Sequence, residues 1–178
     1  MERLVGKSAP DFKLNAVTGD WENFREIKLK DYENKWLVMF FYPLDFTFIC
    51  PTEITGFSKR YEDFKKIDAD VLAVSCDSEY SHQAWIQKNP VEGGLGKINF
   101  PIASDKIYTT AKNYGVFIEE EGVSLRGLFI IDPKGTIRYS VVHDLNVGRS
   151  VDETLRVLKA LQTGGMCAID WHEGDSNL

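Results

Sequence analysis

Cys50 is the residue of this sequence best placed to do chemistry. It lies in Tyr42-Pro43-Leu44-Asp45-Phe46-Thr47-Phe48-Ile49-Cys50-Pro51-Thr52-Glu53-Ile54, after an apolar run and before a segment with helical spacing. In open α/β sheets, ligands bind at such junctions, beyond the carboxyl ends of the strands. A helix N-terminus offers free N–H groups and about half a positive charge, and both stabilise a thiolate, the nucleophilic form of cysteine. Thr47 brings a hydroxyl that can donate to the sulfur or accept from a substrate O–H, and Pro43 can shield the sulfur from water. A thiolate also calls for a cation. Arg126, just before the apolar run Leu128 to Ile131, and Arg149, just before Ser150, are the two candidates. The competing readings are bland ones: a buried cysteine acting as a small hydrophobe, and arginines in surface ion pairs.

Three elements must position these residues. Val38-Met39-Phe40-Phe41-Tyr42, Val71-Leu72-Ala73-Val74 and Leu128-Phe129-Ile130-Ile131 are continuous apolar runs, as expected of strands buried on both faces. Asp132-Pro133-Lys134-Gly135 then supplies turn residues before Thr136 to Val142, which reads as a β-hairpin. Ile54, Phe57, Tyr61 and Phe64 share one face of a helix directly after Cys50. Ser78 can cap a helix carrying Ala84, Trp85 and Ile86. Ile107, Ala111 and Tyr114 suggest a short helix closed by Gly115. Ser150-Val151-Asp152-Glu153 is a capping box opening a helix with Leu155, Leu158 and Leu161 on its apolar side. The expectation is an α/β domain with a mixed central sheet covered by helices on both faces, in a thioredoxin-like arrangement. Residues 1–162 form that domain and 163–178 an arm outside the core.

Composition narrows the function. The chain has 178 residues and is 43 % hydrophobic, enough for one core without disulfides or metals. A net charge of −6, spread along the chain, disfavours nucleic acid and anionic membranes as partners. The N-terminus has no apolar signal-like stretch and the longest apolar run, Trp36 to Tyr42, is too short to span a bilayer, so a soluble cytoplasmic protein is expected. Cys50, Cys76 and Cys167 are too few for a secreted disulfide framework. Without a Cys-x-x-Cys pair and with His82, His143 and His172 scattered, a metal site has little support. Cys76, at the end of the second strand, reads as a buried structural thiol. Gly93-Gly94-Leu95-Gly96 lacks the Lys-Ser/Thr of a phosphate loop.

Pro43-x-x-x-Thr47-x-x-Cys50 matches the active-site signature of the peroxiredoxins, and Phe48-Ile49-Cys50-Pro51-Thr52-Glu53 resembles its longer form in the typical 2-Cys group. The similarity continues through Ala9-Pro10-Asp11-Phe12, His82-Gln83-Ala84-Trp85, Gly93-Gly94-Leu95-Gly96, Leu125 to Asp132 and Val147 to Glu153. It ends at Cys167-x-x-x-Trp171, and alkyl hydroperoxide reductase of the AhpC type is similar too. The resemblance implies that Cys50 is the peroxidatic cysteine, oxidised to a sulfenic acid by hydrogen peroxide or an organic hydroperoxide. Thr47 and Arg126 would hydrogen-bond the two peroxide oxygens with no metal or organic cofactor required, Pro43 would shield the sulfur, and Glu53 and Arg149 would hold Arg126 in place. It further implies that Cys167 is the resolving cysteine, forming a disulfide with Cys50 of a second subunit. The functional unit would be a homodimer able to assemble into a ring of five, with thioredoxin or a flavoprotein disulfide reductase as reductant.

For the two sulfurs to meet, the turn at Cys50 must come undone, and Pro51, which lacks a backbone donor, is expected to lower the cost of unwinding. Ala168 stands where many members of the family have a proline. The sequence ends at Leu178, eleven residues past Cys167. That leaves no room for the extra C-terminal helix of easily inactivated members, so resistance to over-oxidation is expected. Two other classes compete. A scaffold or holdase would need no Cys50, and a general disulfide oxidoreductase would need the missing Cys-x-x-Cys.

Overall fold

The computed structural model describes residues 3–178. Its strands are β1 (Lys13–Val17), β2 (Phe24–Lys28), β3 (Trp36–Phe41), β4 (Ala69–Ser75), β5 (Ile102–Ser104), β6 (Phe117–Ile118), β7 (Val123–Ser124), β8 (Arg126–Ile131) and β9 (Ile137–His143). Its helices are α1 (Cys50–Lys59), α2 (Tyr61–Lys65), α3 (Glu79–Gln87), α4 (Thr109–Asn113) and α5 (Val151–Thr163). Seven strands form one sheet in the order β2-β1-β5-β4-β3-β8-β9, and β6 pairs with β7 in a separate small hairpin. β3, β4 and β5 run parallel, whereas the remaining ladders are antiparallel. The sheet is therefore mixed, with helices against it, as the sequence indicates.

The continuous apolar runs are explained by two cores. Along β3, Val38 and Phe40 face a cluster with Ile54 and Phe57 of α1, Phe64 of α2, Trp85 of α3 and Leu155 and Leu158 of α5. Leu37, Met39 and Phe41 alternate to the other face, against Phe12, Tyr114 and Phe129. A strand with both faces buried has no position for a polar side chain.

Three local expectations need correction. The helix after Cys50 is two helices, broken at Arg60 (φ −102°, ψ 9°), whose N–H reaches back only to Phe57. Arg60 ion-pairs with Asp63 and Asp152 there, and the bend still delivers Phe64 to the core while Tyr61 bonds Asp70. Ile107 is 77 % exposed and lies outside α4. That helix begins later because the Asp105 carboxylate accepts from the N–H groups of Thr110 and Ala111. The capping box at Ser150 is half formed: Ser150 Oγ accepts from Glu153 N, but the Glu153 carboxylate pairs with Arg156 instead of returning to the cap.

Ser78 caps α3 as expected, accepting from Ser81 N. Gly93-Gly94-Leu95-Gly96 clasps the far end of that helix: Trp85 Nε1 donates to Gly93 O and Leu95 N donates to Trp85 O. Residues 164–178 follow α5 without helix or strand. They are nonetheless fastened to it: Arg156 Nη1 donates to Trp171 O, Lys159 pairs with Glu173, and Trp171 is only 5 % exposed.

Candidate active site

β3 ends at Phe41, and nine residues later the chain enters α1 with Cys50 in its first helical position. Pro51 follows in the first turn, where a backbone N–H has no acceptor within the helix. Its missing donor therefore removes no hydrogen bond, and the expectation that Pro51 eases unwinding is not supported. Its fixed φ instead favours the helical start.

Cys50 is completely buried. Arg126 Nη1 lies 3.4 Å from its sulfur and 2.8 Å from Glu53 Oε2, while Arg126 Nε donates to Leu145 O. Arg126 opens β8, next to Gly127, where a Cβ would come within 2.5 Å of Val116 Cγ1. Glycine thus lets the β6–β7 hairpin close over the strand that carries the arginine. Arg149 makes a different set of bonds. Its Nε and Nη2 grip the two oxygens of Glu53 at 2.7 and 2.9 Å, and its Nη1 donates to Phe41 O and Gly127 O. Of the two cations considered for the sulfur, Arg126 is the one in contact; Arg149 is tied to the carboxylate and to two strand ends.

This cluster is buried: Glu53 is 4 %, Arg126 3 % and Arg149 8 % exposed. Burial alone would raise the Glu53 carboxyl, but the hydrogen bonds and charge of Arg149, with Arg126 behind it, hold it below the usual range. Burial likewise pulls the Arg149 guanidinium below its ordinary value against the opposing pull of Glu53. Two guanidiniums share one carboxylate, leaving one positive charge uncompensated beside the sulfur.

Thr47 donates its hydroxyl hydrogen to Leu44 O at 2.9 Å, so the oxygen is left as an acceptor. A cavity of about 220 Å³ is lined by Pro43, Thr47, Phe48, Ile49, Arg126 and Leu145. It opens on the hydroxyl and the guanidinium together. A larger cavity of about 570 Å³, among Ser8, Lys30, Tyr32 and Lys134, contains no thiol and lies at the other end of β3. Cys76 is half-buried just after β4, and burial, with Asp105 and Asp77 adding to it, pushes its thiol up to about 12. It is a poor nucleophile at neutral pH.

Cys167 is far from this cluster. α5 starts beside it, where Arg149 N donates to Glu53, and Cys167 lies past the other end of that helix, with Sγ 3.6 Å from Ala160 O. Thirteen residues of helix span about 20 Å. One feature around the site has no clear signal in the sequence. Asp45, His82 and Tyr42 form a buried hydrogen-bonded group, and only the crowding of polar residues around an apolar helix face hints at it.

Residues 5–140 match the model of the AhpC/TSA family. The chain is 73 % identical to a putative peroxiredoxin in the rubredoxin operon of Clostridium pasteurianum over 178 residues, covering 100 % of each. It is 51 % identical to the putative peroxiredoxin YkuU of Bacillus subtilis, covering 99 % of each. Among solved structures, the reduced 2-Cys peroxiredoxin of Plasmodium vivax superposes with a TM-score of 0.95 at 38 % identity, over 99 % of this chain and 93 % of that one. AhpC of Enterococcus faecalis superposes with a TM-score of 0.85 at 33 % identity, over 91 % and 94 %. A thiol at a helix start, a guanidinium on its sulfur and these matches along nearly the full length agree: the chain belongs to the AhpC/TSA family and is a peroxiredoxin, an oxidoreductase of the peroxidase kind.

Proposed function

We propose that the chain reduces hydrogen peroxide and organic hydroperoxides through Cys50, with electrons supplied by a thiol reductant. The observation that carries this reading is the uncompensated positive charge of Arg126 and Arg149 over Glu53, set 3.4 Å from the Cys50 sulfur. The thiolate attacks one peroxide oxygen in line with the O–O bond. An S–O bond forms, the O–O bond breaks, and Cys50 becomes a sulfenic acid while the leaving oxygen takes a proton and departs as water or an alcohol. Arg126 hydrogen-bonds the peroxide oxygens as charge moves along that axis, and the free lone pairs of Thr47 accept the peroxide O–H. Pro43, buried at the rim, keeps water from the sulfur.

Cys167 then displaces water from the sulfenic acid and forms a disulfide with Cys50. The length of α5 between the two sulfurs supports pairing with Cys167 of the partner subunit rather than within one chain. The outer strand β9, paired at Ile137 with Gly6 and Lys7 but carrying Val142 48 % exposed farther along, supports a homodimer built across that edge. A related Plasmodium yoelii protein modified at its N-terminus is described as forming an artifactual octamer; for this chain a ring of five dimers is the assembly proposed. Residues 163–178 serve as the arm that delivers Cys167. Thioredoxin or a flavoprotein disulfide reductase returns both cysteines to thiols. Among the described residues no helix is long and apolar enough to cross a membrane. We place the enzyme in the reducing cytoplasm, in antioxidant defence and redox homeostasis, where its three free cysteines are kept as thiols.

A non-reducing gel after one equivalent of hydrogen peroxide tests the pairing. The expected result is a disulfide-linked dimer band that is absent from both Cys50→Ser and Cys167→Ser. A band that persists in either variant contradicts it.

A further inference from the structure

The loop that leads into Cys50 is gripped at one residue. Asp45, 8 % exposed, accepts hydrogen bonds from Tyr42 Oη at 2.8 Å, Ser81 Oγ at 2.7 Å and His82 Nδ1 at 2.8 Å. Its own N–H donates to Asp77 Oδ2 at 3.0 Å, and Asp77 is in turn held by Ser75 Oγ. His82 is fully buried; its Nδ1 meets Asp45 Oδ2 and, at 3.3 Å, Tyr42 Oη, and its Nε2 has no partner among the described residues. These bonds tie the end of β3 to α3 and to the end of β4. Among the described residues, nothing comparable holds Thr47 and Phe48. Thr47 bonds only to Leu44 O, Phe48 is 92 % exposed, and Cys50 follows.

The residue between the grip and the free stretch is strained. Phe46 has φ +55°, a left-handed conformation that a bulky side chain adopts only when its surroundings impose it. Asp45 fixes the peptide before it, and the Phe46 ring is seated against Trp85 of α3 at 5.8 Å between centroids. This left-handed turn aims the chain into the first turn of α1. If the grip on Asp45 loosens, Phe46 relaxes toward ordinary φ and the direction of entry into α1 is lost.

We propose that Asp45 and His82 are positioning residues for the resolving step: by holding Phe46 in its left-handed turn they set how often the Cys50 turn unwinds. The inference rests on the reading of Cys50 and Cys167 given above. Attack on peroxide uses the folded turn, and so does the second oxidation that converts the sulfenic acid to sulfinic acid. Disulfide formation uses the unwound turn. While the folded turn remains the majority state, weakening the grip leaves the attack rate unchanged. It multiplies the unwound fraction, and with it the resolution rate.

The test is stopped-flow measurement of peroxide attack and of disulfide formation, with mass spectrometry of Cys50 sulfinic acid per turnover. It compares wild type with His82→Leu, Asp45→Asn and His82→Asn. Loss of one hydrogen bond to the Asp45 carboxylate should raise resolution about three- to tenfold. His82→Leu and Asp45→Asn should thus resolve faster and accumulate less sulfinic acid by the same factor, with attack on peroxide unchanged. His82→Asn, whose Nδ2–H can stand where Nδ1–H stood, should behave as wild type. Asp45→Asn keeps the volume of the native side chain, so it decides the matter should His82→Leu not fold. Resolution at the wild-type rate in Asp45→Asn overturns the proposal. So does a parallel fall of attack and resolution with no change in sulfinic acid per turnover, the mark of a merely structural role. If the wild type itself forms no Cys50–Cys167 disulfide, it is the assigned reaction that fails.

Discussion

Cys50→Ser is expected to lower peroxide consumption by at least about a thousandfold while leaving the fold intact. Serine occupies nearly the same volume at the first position of α1, and its hydroxyl can accept from Arg126 as the sulfur does, so the buried packing survives. What disappears is the nucleophile. A hydroxyl remains protonated at neutral pH, and the positive charge of Arg126 and Arg149 does not lower its affinity for the proton by the many units required. Neither other thiol is placed to substitute. Cys76 is held protonated at neutral pH by burial, and Cys167 lies beyond the far end of α5. Peroxide loss measured with a coupled thiol reductant checks the expectation; retention of a tenth or more of the wild-type rate contradicts it.

Glu53→Gln is expected to cost stability rather than chemistry alone. The Glu53 carboxylate is the one negative group that Arg126 and Arg149 share, and all three side chains are nearly inaccessible to water. Glutamine keeps the shape and strands two buried guanidiniums without a counter-charge. Breaking a buried pair on one side costs about 3–5 kcal/mol, read as a lower midpoint in urea unfolding. The pH dependence has a definite sign. Glu53 has its carboxyl held below the usual value in the folded state, so it contributes stability above its unfolded pKa, and that contribution is lost as pH falls through the folded one. Wild type should thus lose stability on acidification below the ordinary carboxylate range, and Glu53→Gln should lose less over the same interval. A loss below about 1 kcal/mol at neutral pH, or an unchanged acid limb, contradicts the account.

The parts of this molecule that can be read in its sequence are those whose residues answer to one dominant force. Val38 to Tyr42 is apolar at every position because β3 is buried on both faces, and no other secondary structure accounts so simply for a run bounded by turn residues. Cys50 stands out because a strand, a short loop and a helix start are each marked locally. β2 carries no such mark since it is the outer strand of the sheet: in Phe24–Lys28 only Ile27 is buried, so no alternation is visible. β5 has three residues, too few to show any period, and it is fixed by pairing with β4 and β1. The division of labour between Arg126 and Arg149 is equally hidden. Both precede well-marked elements, and only the meeting of β8, α1 and the start of α5 decides which reaches the sulfur. The grip of His82 on Asp45 joins residues 37 apart, a contact that local pattern does not encode.

Trapping the first oxidation product shows which sulfur peroxide attacks. Cys167→Ser, treated with one equivalent of hydrogen peroxide in the presence of a 1,3-dione that captures sulfenic acids, is digested and each cysteine peptide is weighed. The expected result is the dione adduct on Cys50 in close to stoichiometric yield, with Cys76 unmodified. An adduct on Cys76, or peroxide consumed while Cys50 remains a thiol, would contradict it.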